Sequence, residues 1–343
     1  MILYLFVLWV SLLPLVVWKG GYEGPKIFYF LIGSIPLILF WVLRALRYKK
    51  YFVFSRTDYL FLVWLLILAI SSFFGAHPAE SFLGGSYRHQ GVIFFLALWL
   101  IGKTVGILGS NRKKLLVKSV SAVILIESAI VLFQFLGNKL YLGHPLGTIG
   151  EANAVAGYLA IGSYFVFESF PKLLLLIPVL AIFFAQSRSG ILAVVPLLAR
   201  IKKSFLIILI PVAVLSLYIF TVGKGISPFE NRQIIWKLGI GQILQRPLLG
   251  YGAESGEVVF DNAFIKSGFP LSDLTVDRAH NLFLDVAMWT GILGLILFLG
   301  FLYQAFIRLE INKKIAFLSF LIYSMFQPLS IVHWILLIII INI

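Results

Sequence analysis

Residues 280–303 read HNLFLDVAMWTGILGLILFLGFLY, twenty-four positions with one charged side chain, Asp285. As an α-helix at about 1.5 Å per residue this run reaches about 36 Å, enough to cross the ~30 Å hydrocarbon layer of a bilayer. Runs of the same kind recur on either side of it, at about 2–18, 27–43, 59–74, 91–109, 115–136, 152–167, 172–186, 189–200, 204–222, 315–327 and 330–343. With 280–303 they make about 12 transmembrane helices, so the expected fold class is an all-α polytopic membrane protein with one long outer loop. The composition agrees: 61% of the 343 residues are hydrophobic and 12% are charged. A soluble domain carries roughly twice that charged fraction and could not cover its surface with so few polar groups. The first run is not a cleavable signal on the usual pattern, because no Lys or Arg precedes Lys19 and no small-x-small site follows.

The loops between these runs alternate in charge. One set holds Arg44, Arg47, Lys49, Lys50 and Arg56; Lys103, Arg112, Lys113, Lys114 and Lys118; Lys172; Arg200, Lys202 and Lys203; and Arg308, Lys313 and Lys314. Against them stand only Asp58, Glu168 and Glu310. The other set is nearly neutral, with eleven basic and ten acidic residues, and Glu127 alone sits in mid-helix, where a neighbouring helix is its expected partner. The chain's net charge of +14 therefore falls on one side, which the bias of short loops assigns to the cytoplasm together with both termini. Charge of this origin sets orientation, so nucleic acid is not an expected partner. The neutral side includes one long segment, 223–279, an outer cap on an otherwise single membrane domain spanning 1–343. Within it, Glu230 to Arg246 reads as an amphipathic helix suited to the bilayer interface, stopped by Pro247.

Several chemistries are excluded. There is no cysteine, so disulfides, thiol nucleophiles and cysteine zinc sites are absent. Gly102-Lys103-Thr104 resembles the end of a phosphate loop, but position 97, where that loop needs Gly, is Ala. Gly250-Tyr251-Gly252-Ala253-Glu254-Ser255-Gly256 has the wrong glycine spacing for a dinucleotide fingerprint and reads as a turn. No His-Glu-x-x-His pattern occurs, and no cofactor or metal is expected.

Polar residues gather on the outer side, including all five histidines, His77, His89, His144, His280 and His333. Gln186-Ser187-Arg188-Ser189-Gly190 puts an Arg close to the hydrocarbon, either snorkelling at a helix end or clamping an anion. Asn231-Arg232 with Trp236 suits an interfacial anchor as well as a second cation site. Asp277-Arg278-Ala279-His280-Asn281 runs into the tenth span, and Asp277, Asn281 and Asp285 at i, i+4 and i+8 would share one helical face. Helix capping is the alternative for Asp277 and Arg278, but Asn281 and Asp285 lie inside the run, where polar groups are costly and usually mark a site. Fixed cations able to hold a diphosphate, beside a His whose unperturbed pKa of about 6.5 suits a general base, fit transfer from a lipid-diphosphate donor without a metal.

These stretches, in this order on this scaffold, resemble the O-antigen ligase and polymerase superfamily of integral membrane glycosyltransferases. The matching pieces are Gly84-Gly85-Ser86-Tyr87-Arg88-His89-Gln90-Gly91; Gly147-Thr148-Ile149-Gly150-Glu151-Ala152-Asn153-Ala154-Val155-Ala156-Gly157-Tyr158-Leu159; Ser187-Arg188-Ser189-Gly190; Arg232 with Trp236 and Pro247-Leu248-Leu249-Gly250-Tyr251-Gly252; and Ala279-His280-Asn281 with Gly291 and Gly294. The resemblance implies an O-antigen ligase type of glycosyltransferase. It would move glycan from undecaprenyl diphosphate to an acceptor hydroxyl at the outer face of the cytoplasmic membrane, with repeat-unit polymerase or protein O-oligosaccharyltransferase as related activities. It further implies Arg188 and Arg232 as holders of the diphosphate and His280 as the base. Arg88, His89, Glu151, Asn153, Tyr251, Arg278, Asn281 and Asp285 would then bind substrate. Glu151 departs from the family, which often has Asn there, and is suited to sugar hydroxyls. The implied partners are the lipid-linked donor, a lipid, glycan or protein acceptor, and membrane lipids. A flippase or secondary transporter for the same glycans is the competing class, but it should carry polar residues at mid-membrane on several helices, and only Glu127 is so placed. A non-enzymatic scaffold would leave the outer arginines without a purpose.

Overall fold

A computed structural model describes residues 2–18, 21–48, 53–85, 87–141, 143–198, 200, 231–268 and 275–343. Among these, fourteen α-helices follow one another: α1 (Ile2–Leu12), α2 (Glu23–Tyr48), α3 (Arg56–Phe73), α4 (Pro78–Leu83), α5 (Val92–Gly106), α6 (Ser110–Leu136), α7 (Ala152–Ser169), α8 (Leu176–Phe184), α9 (Arg188–Leu198), α10 (Arg232–Gln245), α11 (Gly256–Lys266), α12 (Leu282–Arg308), α13 (Ile311–Ser324) and α14 (Ile331–Asn342). Four are long and apolar enough to cross a bilayer, over Glu23–Arg47, Arg56–Phe73, Ser110–Leu136 and Leu282–Arg308, and five further apolar helices are shorter. Of the twelve runs anticipated from sequence, eleven fold as helices and the ninth, 204–222, lies outside the described residues. Within 223–279 the described residues form α10, a helix where one was expected but with apolar residues on more than one side, such as buried Ile235 and exposed Leu244, and also α11, whose pattern the sequence did not reveal.

The helices assemble because each has an apolar face to bury. α12 lies along α3, α7 contacts α6, α8, α9 and α13, and α14 rests on α5. Where α3, α5, α12 and α14 meet, Trp64, Phe95, Phe298 and Trp334 form an aromatic core. Ring centroids are 5.1 Å apart for Trp64 and Phe95 and 5.2 Å for Phe95 and Trp334, both edge-on. Such pairs contribute about 0.5–1.5 kcal/mol each beyond their burial. The outward faces stay apolar, with Phe28, Ile35 and Leu39 of α2, Leu66 of α3 and Ile296 of α12 all exposed, a surface fit for lipid rather than water.

The two ends of the bundle differ. At one end Asp58, which closes a capping box with Ser55 at the start of α3, accepts from Lys103 Nζ at 2.9 Å and Trp99 Nε1 at 3.1 Å. Arg308 reaches Thr57 there, and Lys113 and Lys313 donate to the carbonyls of Asn342 and Ile343. These residues belong to the basic set of loops. The other end gathers Arg88, Asn153, Ser187, Glu254, Asp277, Arg278 and His333, all from the near-neutral set, so the sorting of loops by charge matches their sorting in space.

Candidate functional site

The neutral end is organised around a break in α12. Gly291 adopts φ 65° and ψ −169°, a backbone conformation open to glycine alone, and the helix is interrupted there. The interruption frees the carbonyls of Met288 and Trp289, which must find donors inside a membrane bundle. The turn 247–252 supplies them: Tyr251 N donates to Met288 O at 2.8 Å and Gly252 N to Trp289 O at 3.0 Å, while Ile292 N donates back to Pro247 O at 2.7 Å. Ser71 of α3 adds its hydroxyl to Trp289 O at 2.5 Å. Gly250, at φ 66°, packs against the Met288 carbonyl where a side chain would collide. The Tyr251 hydroxyl is itself spent on Gln242, at 3.2 Å from its backbone and its side-chain oxygens.

From this anchor the chain returns to the corner 275–281 that carries His280. Asp277 forms an ion pair with Arg88, and Arg278 pairs with Glu254 while its guanidinium lies 4.6 Å from the Trp289 ring centre. Trp236 of α10 donates to Ala279 O at 2.9 Å, and Ala279 N donates to Asp285 Oδ1 at 2.7 Å. Asn281 is the N-cap of α12, its side-chain oxygen accepting from the amides of Phe283 and Leu284. The helix begins only at Leu282, so the expected single helical face through Asp277, Asn281 and Asp285 does not form. The three residues instead tie, cap and brace one corner.

His280 sits at the tip with φ 54°, a strained conformation for a residue with a side chain. Its Nδ1 is buried and has no hydrogen-bond partner among the described residues, and Gln327 faces the ring. Burial, reinforced by the nearby Arg232 cation and opposed by Asp277, lowers the imidazole pKa to about 3. An ordinary value near neutrality, as expected from the residue type, is therefore not what this environment gives. Arg88 moves oppositely, held more basic by Asp277 against its burial, and Arg88 in turn keeps the Asp277 carboxyl below the usual range although burial alone would raise it.

The two remaining arginines each begin a helix. Arg232 opens α10 behind the N-cap Asn231, and Arg188 opens α9, exposed, next to Ser187, whose hydroxyl donates to Asn153 Oδ1 at 2.8 Å. A helix start adds its partial positive charge to such a cation. Arg232 falls within electrostatic reach of His280.

Beside this corner lies a cavity of about 390 Å³, lined by Tyr22, Glu23, Tyr87, Arg88, His89 and Glu151 among others. It shares Gly21, Gly24 and Pro25 with an apolar groove of about 620 Å³ that runs along α2 past Phe28 and Ile32. The loop bearing Glu151 is fastened from below. Glu127 accepts from Thr148 N at 2.7 Å and Thr148 Oγ1 at 2.5 Å, so this loop takes its hydrogen bonds while Lys26 of the neighbouring α2 lies within electrostatic reach. Lys26, fully buried, donates to the carbonyls of Val16, Tyr22 and Thr148.

The expected residues thus fall into groups. His280, Arg232, Arg88, Arg278, Asn281 and Asp285 share the corner, His89 and Glu151 line the adjoining cavity, and Asn153 with Arg188 lies on its α7 and α9 side. Tyr251 is built into the support. Sequence reasoning missed Glu23, Lys26, Glu254 and Gln327; an acid and a Lys three residues apart at the head of an apolar run were the available signal for the first two.

A polytopic helical membrane protein with a buried polar site at one end is the class that this architecture defines. Comparison with known proteins is more specific. The family model described as O-Antigen ligase matches residues 173–299, which include α8 to α11 and the break in α12. The Rickettsia prowazekii (strain Madrid E) protein named "Putative polysaccharide ligase RP358" is 26% identical, the match covering 79% of this chain and 72% of that protein. Both matches agree with the resemblance to the O-antigen ligase and polymerase superfamily.

Proposed function

We propose that the protein transfers an oligosaccharide or polysaccharide from undecaprenyl diphosphate to an acceptor hydroxyl at the outer face of the cytoplasmic membrane. One observation carries this reading: a neutral, buried imidazole with a free Nδ1, held at a strained corner within reach of an arginine that opens a helix. In the step, the acceptor oxygen bonds to the anomeric carbon as that carbon's bond to the diphosphate oxygen breaks. The hydroxyl proton passes to His280 and the electron pair leaves with the diphosphate. Arg232 and Arg188 hold that leaving group, their guanidinium forks matching its oxygens.

The low pKa of free His280 fits the same scheme. Arg232 contributes to the depression, so a diphosphate that neutralises Arg232 would raise the basicity of His280 when the donor is bound. The base would be strengthened by its own substrate. The apolar groove beside the cavity supports a substrate with a hydrocarbon chain. The gathering of the basic loops at the opposite end supports cytoplasmic termini and an outward-facing site.

The test is transfer in membranes supplied with an undecaprenyl-diphosphate glycan, comparing the parent with His280→Ala and Arg232→Ala. Loss of a general base removes about 10²–10⁴ in rate. Full transfer by either variant refutes the mechanism.

A further inference from the structure

We propose that the cavity between α2, the 87–89 turn and the 149–151 loop is a saccharide subsite that takes an uncharged sugar unit and excludes acidic ones, with Glu23 and Glu151 receiving its hydroxyls. The inference rests on the glycan-transfer reading, and names which glycans that site admits.

Its volume of about 390 Å³ is at the lower end for ligand sites, about 300–1,000 Å³, and is far larger than a single ion needs. The walls suit a polar ring: Tyr22 and Tyr87 line the cavity, and Glu23 and Glu151 offer acceptor oxygens. Glu23 Oε2 is buried and has no hydrogen-bond partner among the described residues, an arrangement that is costly unless a donor arrives. Its carboxyl also faces the amide of Ile331, the first residue of α14, and Glu151 is the N-cap residue of α7 without a capping bond from its side chain. Both carboxyls therefore stand at helix starts, yet keep oxygens to give.

Arg88 and Lys26, the described cations at this cavity, are already committed. The Arg88 guanidinium, the one Lys or Arg among the described lining residues, is engaged by Asp277. Lys26 has three N–H donors, and the carbonyls of Val16, Tyr22 and Thr148 take all three. A neutral sugar would satisfy Glu23 and Glu151 with its hydroxyls. A uronate would meet two carboxyls and find no uncommitted guanidinium or ammonium among the described lining residues. Because Arg88 reaches from this cavity to the partner of the His280 corner, the unit bound here is close to the bond being made.

Equilibrium binding to the full-length protein in nanodiscs tests the idea independently of turnover, using two matched trisaccharides, one of neutral N-acetylhexosamines and one with a terminal uronic acid. His280→Ala protein is measured beside the parent, so that failure of the proposed base and failure of the subsite are read separately. The neutral sugar is expected to bind about tenfold or more tightly than the acidic one. Glu151→Gln should narrow that gap, and Glu151→Lys should reverse it; Glu23→Gln should weaken the neutral sugar by about tenfold. Thermal melts of each variant establish that it is folded, and the Glu151 variants keep the test open should Glu23→Gln not fold. Equal binding of the two sugars, or no change on replacing Glu151, overturns the proposal. So does binding that appears only with added Mg²⁺ or Ca²⁺ and is abolished by EDTA, which would make the cavity a cation site.

Discussion

Replacing Asp277 with Ala would leave the Arg88 guanidinium buried without its counter-ion. The Arg88 side chain is 7% exposed and that of Asp277 24%, with a second hydrogen bond from Arg88 Nη2 to Asp277 Oδ1 at 3.4 Å. Breaking a buried pair from one side costs about 3–5 kcal/mol, and the remaining exposure of Asp277 puts the expected loss near about 3 kcal/mol. Removing both charges, Arg88→Met with Asp277→Ala, abolishes the stranded cation and should recover about 2 kcal/mol of that loss. The pair is therefore expected to show a strong coupling in a double-mutant cycle, measured by equilibrium unfolding in mixed micelles. Transfer should fall in Asp277→Ala, in Arg88→Met alone and in the double variant, because Asp277 lies three residues before His280 and fixes its corner. Single replacements that each cost under about 0.5 kcal/mol, with effects that simply add, would refute the view that this ion pair holds the site together.

Other expectations follow from the same structure. Gly291→Ala should destabilise the fold by about 3 kcal/mol or more, since it combines φ strain with displacement of the turn that feeds the Met288 and Trp289 carbonyls; a melt unchanged within about 0.5 kcal/mol would be inconsistent with the break. Lys26→Met should cost about 3 kcal/mol or more by orphaning three carbonyls, and should loosen the loop bearing Glu151, read as faster hydrogen exchange at Thr148 and Ile149. For pH, the sign runs one way: the unfolded chain binds a proton at His280 near 6.5, whereas the folded chain resists it down to about 3. Stability contributed by neutral His280 is therefore complete above pH 6.5 and is lost as pH falls from there toward about 3. Asp277, depressed below its ordinary carboxylate value, adds to the loss in acid. Unfolding of His280→Asn should be less sensitive to pH over that interval.

The helices were legible because an apolar run has few alternatives in a membrane, and eleven of the anticipated runs fold as such. The break at Gly291 was not. It depends on donors from Tyr251 and Gly252, forty residues earlier, and no local pattern announces that pairing. The same separation hid the partners of the site. Arg88 and Asp277 are 189 positions apart, and Glu254 is 24 from Arg278, so the sequence offered unpaired cations where the fold has ion pairs. Asp277, Asn281 and Asp285 had helical spacing, but Asn281 caps the helix, and its capping bonds to Phe283 and Leu284 fix the boundary between them. The composition of the corner was visible in Ala279-His280-Asn281. What a residue list cannot carry is how deeply the fold buries His280, and that burial moves its titration far from the usual range.

The docking of residues 247–252 into the interrupted α12 bears on how such a protein can be altered. The turn and the glycine are two halves of one joint, held in separate parts of the chain. A cap exchanged from a relative would arrive with its own turn and would seat only if the receiving helix were broken at the matching carbonyls. Chimaeras that exchange the segment carrying this turn should therefore carry the span 282–308 along with it, and the segment moved alone should misassemble even where its own sequence is sound.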